Sequence, residues 1–211
     1  MAADRPGLIG SLSSTEEGKA TRSRIVEGAA AVLRERGVAW ATLDDIMART
    51  GTSKSQLFHY FPAGKDELLL AVAQFEADQV LEDQQPYLGR LDSWESWEQW
   101  RSAVIRRYEA QGDQCPLGSL FLQIGRSTPG ARAIVVELLR RWQESLAAGV
   151  QALQAAGALP ADVDAEARAA ALLAGIQGGV SILLSTGRST HLRAALDQGI
   201  ADLRRAGGPA A

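Results

Sequence analysis

The sequence is poor in the residues that build metal centres and disulfide frameworks. It has one cysteine, Cys115, and two histidines, His59 and His191, which lie far apart along the chain. One cysteine cannot form an internal disulfide, and two distant histidines do not suggest a zinc site. We therefore expect no metal ion and no cofactor. A redox role for Cys115 would need an exposed thiol of lowered pKa, and a structural role is favoured because the nearby charge is Asp113.

The sequence also lacks an excess of charge and a clear membrane segment. Its 22 basic and 25 acidic residues give a net charge of -3, which excludes a globally basic nucleic-acid coat but not a local basic face. The most apolar segment, ARAAALLAGIQGGVSILL, is interrupted by Arg168 and Gln177, so it is interpreted as falling short of a membrane span. The N-terminal segment lacks the pattern of a secretory signal. A soluble, cytoplasmic protein without a membrane partner is expected.

Helical periodicity dominates the chain, and no convincing run of alternating strand residues is present. With 46% hydrophobic residues among 211, the chain can bury a substantial core. We predict an all-α fold of about nine helices, with an N-terminal three-helix domain and a larger helical C-terminal domain. The predicted limits are a disordered leader at 1–17, the first domain at 18–70 and the second at 71–211. The first helix is expected at about 19–36, and the last two at about 165–186 and 191–205.

The segment DDIMARTGTSKSQLFHYF carries the pattern of a helix-turn-helix. Leu57 and Phe61 lie four residues apart and share one helix face, while Gly51 ends the preceding short helix. The second helix then exposes Lys54, Ser55, Gln56 and His59. Such side chains suit the major groove of DNA, where glutamine pairs with adenine and lysine reaches guanine or phosphate. An ordinary helical hairpin with a solvated polar face is the alternative from this segment alone.

The flanking residues extend the pattern. RIVEGAAAVLRERG followed by ATLDDIMARTGTSKSQLFHYFPAGKDELL resembles the DNA-binding domain of TetR-family transcriptional regulators. That resemblance implies a double-stranded DNA operator as partner. The residues expected to contact phosphates are Thr42, Ser53 and Lys65. Those expected at or beside the bases are Lys54, Ser55, Gln56, His59 and Tyr60.

Three positions depart from the family pattern. Phe58 stands where a tyrosine is usual, so a phosphate-contacting hydroxyl is missing. Thr52 replaces an apolar residue in the turn, and Met47 replaces a small residue. Charges balance from residue 15 to residue 70, so affinity should depend on a few placed cations. Those cations are expected to be Lys54, Lys65, and Arg22 or Arg24.

A stripe of aromatic residues follows in DSWESWEQWRSAVIRRYE, where indole N–H groups need partners if they are buried. The stripe predicts either a pocket for a small apolar or aromatic effector or plain helix packing. Glu95 and Glu98 stand beside it instead of a cation, which slightly favours a neutral or cationic compound. The candidate effector-binding residues are Trp94, Trp97, Trp100, Tyr108, Phe121, Trp142 and Gln177.

The last two predicted helices carry many small residues, including Ala174, Gly175, Gly178 and Gly179. Small side chains permit close helix approach, either within the domain or across a two-fold axis. TetR-like proteins dimerise through their last two helices, so the resemblance implies a homodimer.

These observations predict a ligand-responsive DNA-binding regulator, most simply a repressor released from a palindromic operator by a small molecule. A helical small-molecule enzyme or carrier is the rival, although no Ser-His-Asp, Cys-His or metal-ligand constellation supports catalysis. A constitutive DNA-architectural protein is a third possibility, and it fits poorly with the neutral charge balance and the large apolar domain.

Overall fold

The computed structural model describes residues 8–112, 115–119, 124–125 and 128–208, and the regular elements in these ranges are helical. The α-helices are, in chain order, α1 (Leu8–Arg36), α2 (Leu43–Thr50), α3 (Lys54–Tyr60), α4 (Lys65–Glu82), α5 (Trp94–Gln111), α6 (Pro116–Ser119), α7 (Pro129–Ala155), α8 (Ala165–Thr186) and α9 (Thr190–Ala206). A 3-10 turn at Leu88–Arg90 precedes α5. The predicted all-α class is confirmed.

The first helix begins earlier than the sequence predicted. α1 starts at Leu8 and therefore runs through much of the segment that we expected to be a disordered leader. No proline interrupts the chain between Leu8 and Arg36, and an ion pair of 2.8 Å between Glu16 and Lys19 supports one of the early turns. An uninterrupted stretch of this kind can extend a helix whose later turns are fixed by packing.

Two compact units make up the chain, Met1–Phe75 and Glu76–Ala211. In the first unit, α1 to α3 and the start of α4 enclose a small apolar core. Its fully buried members include Ile25, Leu33, Leu57, Phe61 and Leu68. α1 and α2 approach so closely that a Cβ on Gly28 would collide with the methyl group of Thr50. This contact fixes α2 against the first helix.

In the second unit, α7 contributes one continuous apolar face. Leu138, Trp142, Leu146, Val150 and Leu153 recur at helical spacing and are all buried. Gly149 interrupts the large side chains of this helix because a Cβ there would lie 2.5 Å from the Leu91 Cβ. The chain leading into α5 therefore packs directly on the α7 backbone.

α8 and α9 form a tightly packed pair. A Cβ on Gly179 would lie 2.5 Å from the Leu192 Cα, and one on Gly199 would lie 2.6 Å from a Leu172 methyl carbon. Some of the small residues in these helices thus serve packing within the unit. Others face away: Ala174 and Gly178 are exposed, and nothing described lies within 4 Å of a Cβ placed on Gly178.

α8 also meets the length and composition of a membrane span, with a mean hydropathy of 1.6. The expectation that this segment falls short of a span is therefore corrected on those two measures. α8 packs against both α7 and α9 within the second unit, and a core helix of a soluble protein passes the same test. This packing accounts for the buried part of α8, which is 39% of the apolar window.

Candidate DNA-binding surface and effector site

The helix-turn-helix predicted from the sequence is formed by α2, a sharp turn and α3. Gly51 ends α2 in the left-handed conformation, with φ 60° and ψ 32°, and its N–H donates to the Met47 carbonyl. A residue without a Cβ adopts this conformation at no steric cost. The Thr50 hydroxyl donates to the Thr52 hydroxyl at 2.8 Å inside the turn. Thr52 is therefore tolerated in place of an apolar residue because its buried hydroxyl is paired.

α3 separates an apolar face from a polar face. Leu57 is fully buried, and Phe61 is buried immediately after the helix ends. Lys54, Ser55, Gln56 and His59 are exposed, and Tyr60 is half-buried with its ring edge-on to that of His59 at 4.9 Å between centroids. The polar side chains expected at or beside the bases thus share one short helix with a solvent-facing surface.

Several of the expected DNA contacts also cap helices. The Thr42 hydroxyl accepts from the Asp45 N–H at 3.1 Å and donates to the Asp45 carboxylate at 2.7 Å, which lowers the pKa of that carboxyl. At the start of α3, the Gln56 side-chain oxygen accepts from the Ser53 N–H at 3.1 Å, and Ser53 Oγ accepts from the Gln56 N–H at 3.2 Å. These reciprocal caps hold the polar side chains in place before any DNA arrives.

Lys65 is placed differently from a simple phosphate-binding lysine. Its ammonium is partly buried and donates to the carbonyls of Ala41 at 2.7 Å and Val38 at 3.3 Å. An ammonium has three N–H donors, so one remains for another acceptor. Lys65 therefore holds the loop before α2 against the start of α4, and a phosphate would be an additional partner.

The arginines of the leading helix are also engaged within the first unit. Arg24 donates to the Thr50 carbonyl, and the Arg22 guanidinium lies 5.1 Å from the centre of the Phe61 ring. Lys54 is exposed and forms no ion pair with the side chains that the structure describes. Of the cations predicted from the sequence, Lys54 is the one with no structural partner in this part of the chain.

The aromatic stripe of α5 is mostly accounted for by packing. Trp97 and Trp100 are fully buried with their rings edge-on at 5.7 Å, and each indole N–H has an internal acceptor. Trp97 donates to the Leu91 carbonyl at 3.2 Å, and Trp100 donates to the Gln84 amide oxygen at 3.0 Å. Neither indole needs an effector to satisfy it.

Two other members of the stripe lie in distinct environments. Tyr108 is buried, and burial raises the pKa of its hydroxyl well above its ordinary value. The cavity beside Tyr108 and Gln84 measures only about 10 Å³, roughly the minimum for one water. Trp94 is half-buried, with the Arg204 guanidinium 5.3 Å from its ring centre. The stripe thus has a neighbouring cation, supplied by α9, that the sequence interval around Trp94 did not reveal.

Trp142 and Gln177 are the effector candidates with unmet hydrogen-bonding capacity. The indole nitrogen of Trp142 on α7 and the amide nitrogen of Gln177 on α8 are both buried, and neither has an acceptor among the residues that the structure describes. Buried donors are usually paired, so these two mark positions where an acceptor is missing. Phe121, the remaining candidate, lies outside the described residues.

Both units match known families. Residues 25–72 match the family model described as "Bacterial regulatory proteins, tetR family", and residues 93–198 match "Tetracyclin repressor-like, C-terminal domain". The chain belongs to the TetR family. A TetR-family protein is a DNA-binding transcriptional regulator and not an enzyme, so the rival interpretation as a helical enzyme is set aside.

Sequence relatives of this TetR-family chain include other regulators. An uncharacterized HTH-type transcriptional regulator of Mycobacterium tuberculosis is 25% identical over 110 residues, which cover 49% of this chain and 53% of that protein. TtgW of Pseudomonas putida, also described as uncharacterized, is 38% identical over 80 residues, which cover 38% of this chain and 59% of TtgW. The chain thus spans only about half the length of these relatives.

Solved structures match more of the chain. A TetR transcriptional regulator from Chloroflexus aurantiacus has a TM-score of 0.73 at 25% identity, with 88% of this chain and 95% of that chain covered. SmeT, described as the repressor of the Stenotrophomonas maltophilia multidrug efflux pump SmeDEF, has a TM-score of 0.66 at 22% identity, covering 88% and 91%. The SmeT match shows the shared fold.

One structurally important residue of this TetR-family protein escaped the sequence analysis. Gln84 is buried, donates to the Val80 carbonyl at 2.9 Å and accepts from Trp100. In the sequence it is one of two adjacent glutamines, and no local pattern separates it from the exposed Gln85. Its spacing of four residues from Val80 is the only available signal.

Proposed function

We propose that this TetR-family regulator is a repressor that binds a near-palindromic operator as a homodimer and is released by a small apolar or aromatic effector. The observation that carries the proposal is the two-faced α3. Leu57 and Phe61 anchor this helix in the core, while Lys54, Gln56 and His59 point to solvent. A helix held in this way can enter a major groove without losing its support.

The proposed DNA contacts fall into two classes. Thr42, Ser53 and Lys65 would bind phosphates, which position a protein on DNA without specifying sequence. Lys54, Ser55, Gln56, His59 and Tyr60 would lie at or beside base edges. The amide nitrogen of Gln56 is available to an adenine acceptor because the cap at Ser53 uses the amide oxygen.

A homodimer through α8 and α9 is supported by the outer face of α8. Ala174 and Gly178 are exposed there, and the Ser181 hydroxyl donates back to the Gln177 carbonyl at 2.9 Å, which removes a donor from the surface. A smooth apolar face of small residues suits close packing against a second copy. Two DNA-binding domains related by the two-fold axis and held at a fixed spacing would then require a two-fold symmetric operator.

The chemistry of the effector is suggested by Trp142 and Gln177. Both unmet groups are N–H donors, so the bound molecule should carry hydrogen-bond acceptors on an otherwise apolar frame. SmeT, which shares this fold, has been solved in complex with triclosan. The effector would bind more tightly to the form whose two DNA-binding domains are wrongly spaced for the operator. The operator-binding free energy lost would equal the difference between the effector's binding free energies for the two forms.

The proposed DNA-binding and regulatory functions belong to different parts of the chain. The DNA-binding domain would comprise residues 18–70 and the regulatory and dimerisation domain residues 71–211, in a cytoplasmic protein. The alternative of a constitutive architectural protein would have no effector and no fixed operator.

Selection of duplexes from a random library by the purified protein tests the function. We expect a two-fold symmetric site whose binding weakens steeply with salt. Recovery of sequences without symmetry or common bases would contradict the operator model, and would favour the architectural alternative.

A further inference from the structure

Trp40 is the exception among the tryptophans of this protein. Its side chain is 82% exposed, whereas Trp97, Trp100 and Trp142 are fully buried. Exposing an indole forfeits the stabilisation that its burial would give, so packing of the folded chain does not explain this residue. A side chain this large and this exposed on a DNA-binding domain offers apolar surface that a partner can cover.

The backbone around Trp40 is held firmly. The Trp40 N–H donates to the Gly37 carbonyl at 3.3 Å, and the Ala41 N–H donates to the same carbonyl at 3.1 Å. Lys65 then binds the Val38 and Ala41 carbonyls on either side of Trp40. A turn whose backbone is fixed at both ends loses little backbone freedom when a partner covers its side chain.

The position of this turn indicates the partner. Trp40 stands two residues before Thr42, the N-cap of α2, which is the first helix of the helix-turn-helix. When the second helix of such a motif enters the major groove, the first crosses the DNA backbone. The chain that enters α2, which carries Trp40, then lies at the sugar-phosphate strand.

The chemistry of the two surfaces is complementary. The indole N–H is a donor only, and a phosphate oxygen is an acceptor. The nearby cations are partly engaged, since Lys65 uses two of its three N–H donors on carbonyls and Arg36 pairs with Asp45 at 2.6 Å. Asp44, in the first turn of α2, is exposed and negative. A neutral donor can therefore supply a backbone contact where little free positive charge is available.

We propose that the Trp40 indole N–H donates a hydrogen bond to a backbone phosphate of the bound operator, with the ring lying over the adjacent deoxyribose. This inference rests on the proposed DNA binding by α2 and α3. It assigns Trp40 a positioning role that is independent of base sequence. The affinity for the operator and the affinity for a non-specific duplex should therefore depend on Trp40 equally.

The test compares the full-length parent protein with Trp40→Ala and Trp40→Phe on two duplexes, one recovered by the library selection and one of random sequence. Val136→Ala, at another exposed large apolar residue, is the matched control. Both Trp40 variants should bind each duplex about tenfold more weakly, the order expected when a hydrogen bond to a charged group is lost. The slope of log K against log salt should not change, because indole carries no charge and releases no counterion.

A second measurement follows the tryptophan directly. Acrylamide should quench the exposed indole in free protein, and duplex binding should protect it; Trp40→Phe should lack this protected component. Unchanged affinity of Trp40→Ala, or undiminished quenching in the complex, would overturn the contact. Parent-like affinity of Trp40→Phe would overturn N–H donation. A parent that binds no duplex would overturn the DNA-binding function itself, and the contact with it.

Discussion

The indole N–H of Trp100 donates to the amide oxygen of Gln84 at 3.0 Å, and both side chains are buried. This pair joins α5 to the chain that follows α4. A buried donor that loses its acceptor costs the full desolvation penalty of that group, whereas removing both partners costs much less. The relationship therefore makes a specific prediction about stability.

We expect Gln84→Leu to lower the free energy of unfolding by about 1–3 kcal/mol, because it leaves the Trp100 N–H without an acceptor. Urea denaturation measures this change. The exposed neighbour provides the control, since Gln85→Leu should have little effect. Adding Trp100→Phe to Gln84→Leu should cost less than the sum of the two single changes. Additive losses would show that the hydrogen bond does not couple the pair.

Lys54 and Lys65 should differ in how they contribute to DNA binding. Lys54→Ala should reduce the slope of log K against log salt by about one unit and leave thermal stability unchanged. Lys65→Ala should weaken binding to all sequences and also lower the melting temperature, because the Val38 and Ala41 carbonyls lose their donor. Salt titrations and thermal melts together separate the two effects. An unchanged melting temperature for Lys65→Ala would show that its carbonyl contacts are not stabilising.

Ala174 tests the proposed dimer. Ala174→Arg places a charge on the outer face of α8 and should yield folded monomers with much reduced operator affinity. Sedimentation at micromolar protein concentration measures the oligomeric state. Ala161→Arg, in the exposed loop before α8, is the control for the added charge. A stable dimer of Ala174→Arg would move the interface elsewhere, and a monomeric parent would refute the dimer itself.

Gln177 should contribute to effector binding and not to the stability of the fold. Gln177→Leu removes a buried donor that has no acceptor in the described part of the chain, so the free energy of unfolding should stay unchanged or rise by up to about 1 kcal/mol. Release of DNA by acceptor-bearing aromatic compounds should be lost in this variant. Matched compounds without the acceptor should release DNA poorly from the parent. Strong destabilisation by Gln177→Leu would mean that its amide has a partner within the fold.

The contacts of Glu109 predict that the stability of the second unit depends on pH. Its carboxylate accepts from the Ser189 hydroxyl and from the Arg193 guanidinium at 2.7 Å, and these contacts lower the pKa of the carboxyl below its ordinary 4.5. A carboxyl whose pKa is lower in the folded state stabilises the fold above its unfolded pKa. That stabilisation is lost as pH falls through the folded pKa.

The melting temperature of the parent should therefore exceed that of Glu109→Gln at neutral pH, and the difference should shrink as pH falls below about 4.5. Glu95→Gln, on the same helix, is the control: its carboxylate accepts from Gln99 at 3.2 Å. A difference that persists undiminished at acid pH would show that charge at Glu109 is not the cause.

Local signals in the sequence were sufficient for the helix-turn-helix and for the last two helices, and they missed the early start of α1. The spacing of Leu57 and Phe61 and the stop at Gly51 predicted α2 and α3 because periodicity and helix-end signals act over only a few residues. The family resemblance rested on this region, and residues 25–72 match the TetR model.

Only the tertiary structure distinguished roles that depend on distant partners. Trp97 and Trp142 look alike in sequence, yet one indole has an acceptor in Leu91 and the other has none within the described ranges. Gly178 and Gly179 are neighbours, yet one faces outward and the other meets Leu192. Lys65 was predicted as a phosphate contact, and its carbonyl partners lie more than twenty residues earlier in the chain. Hydrogen bonding and close packing are decided by which elements meet, and local residue patterns do not encode that.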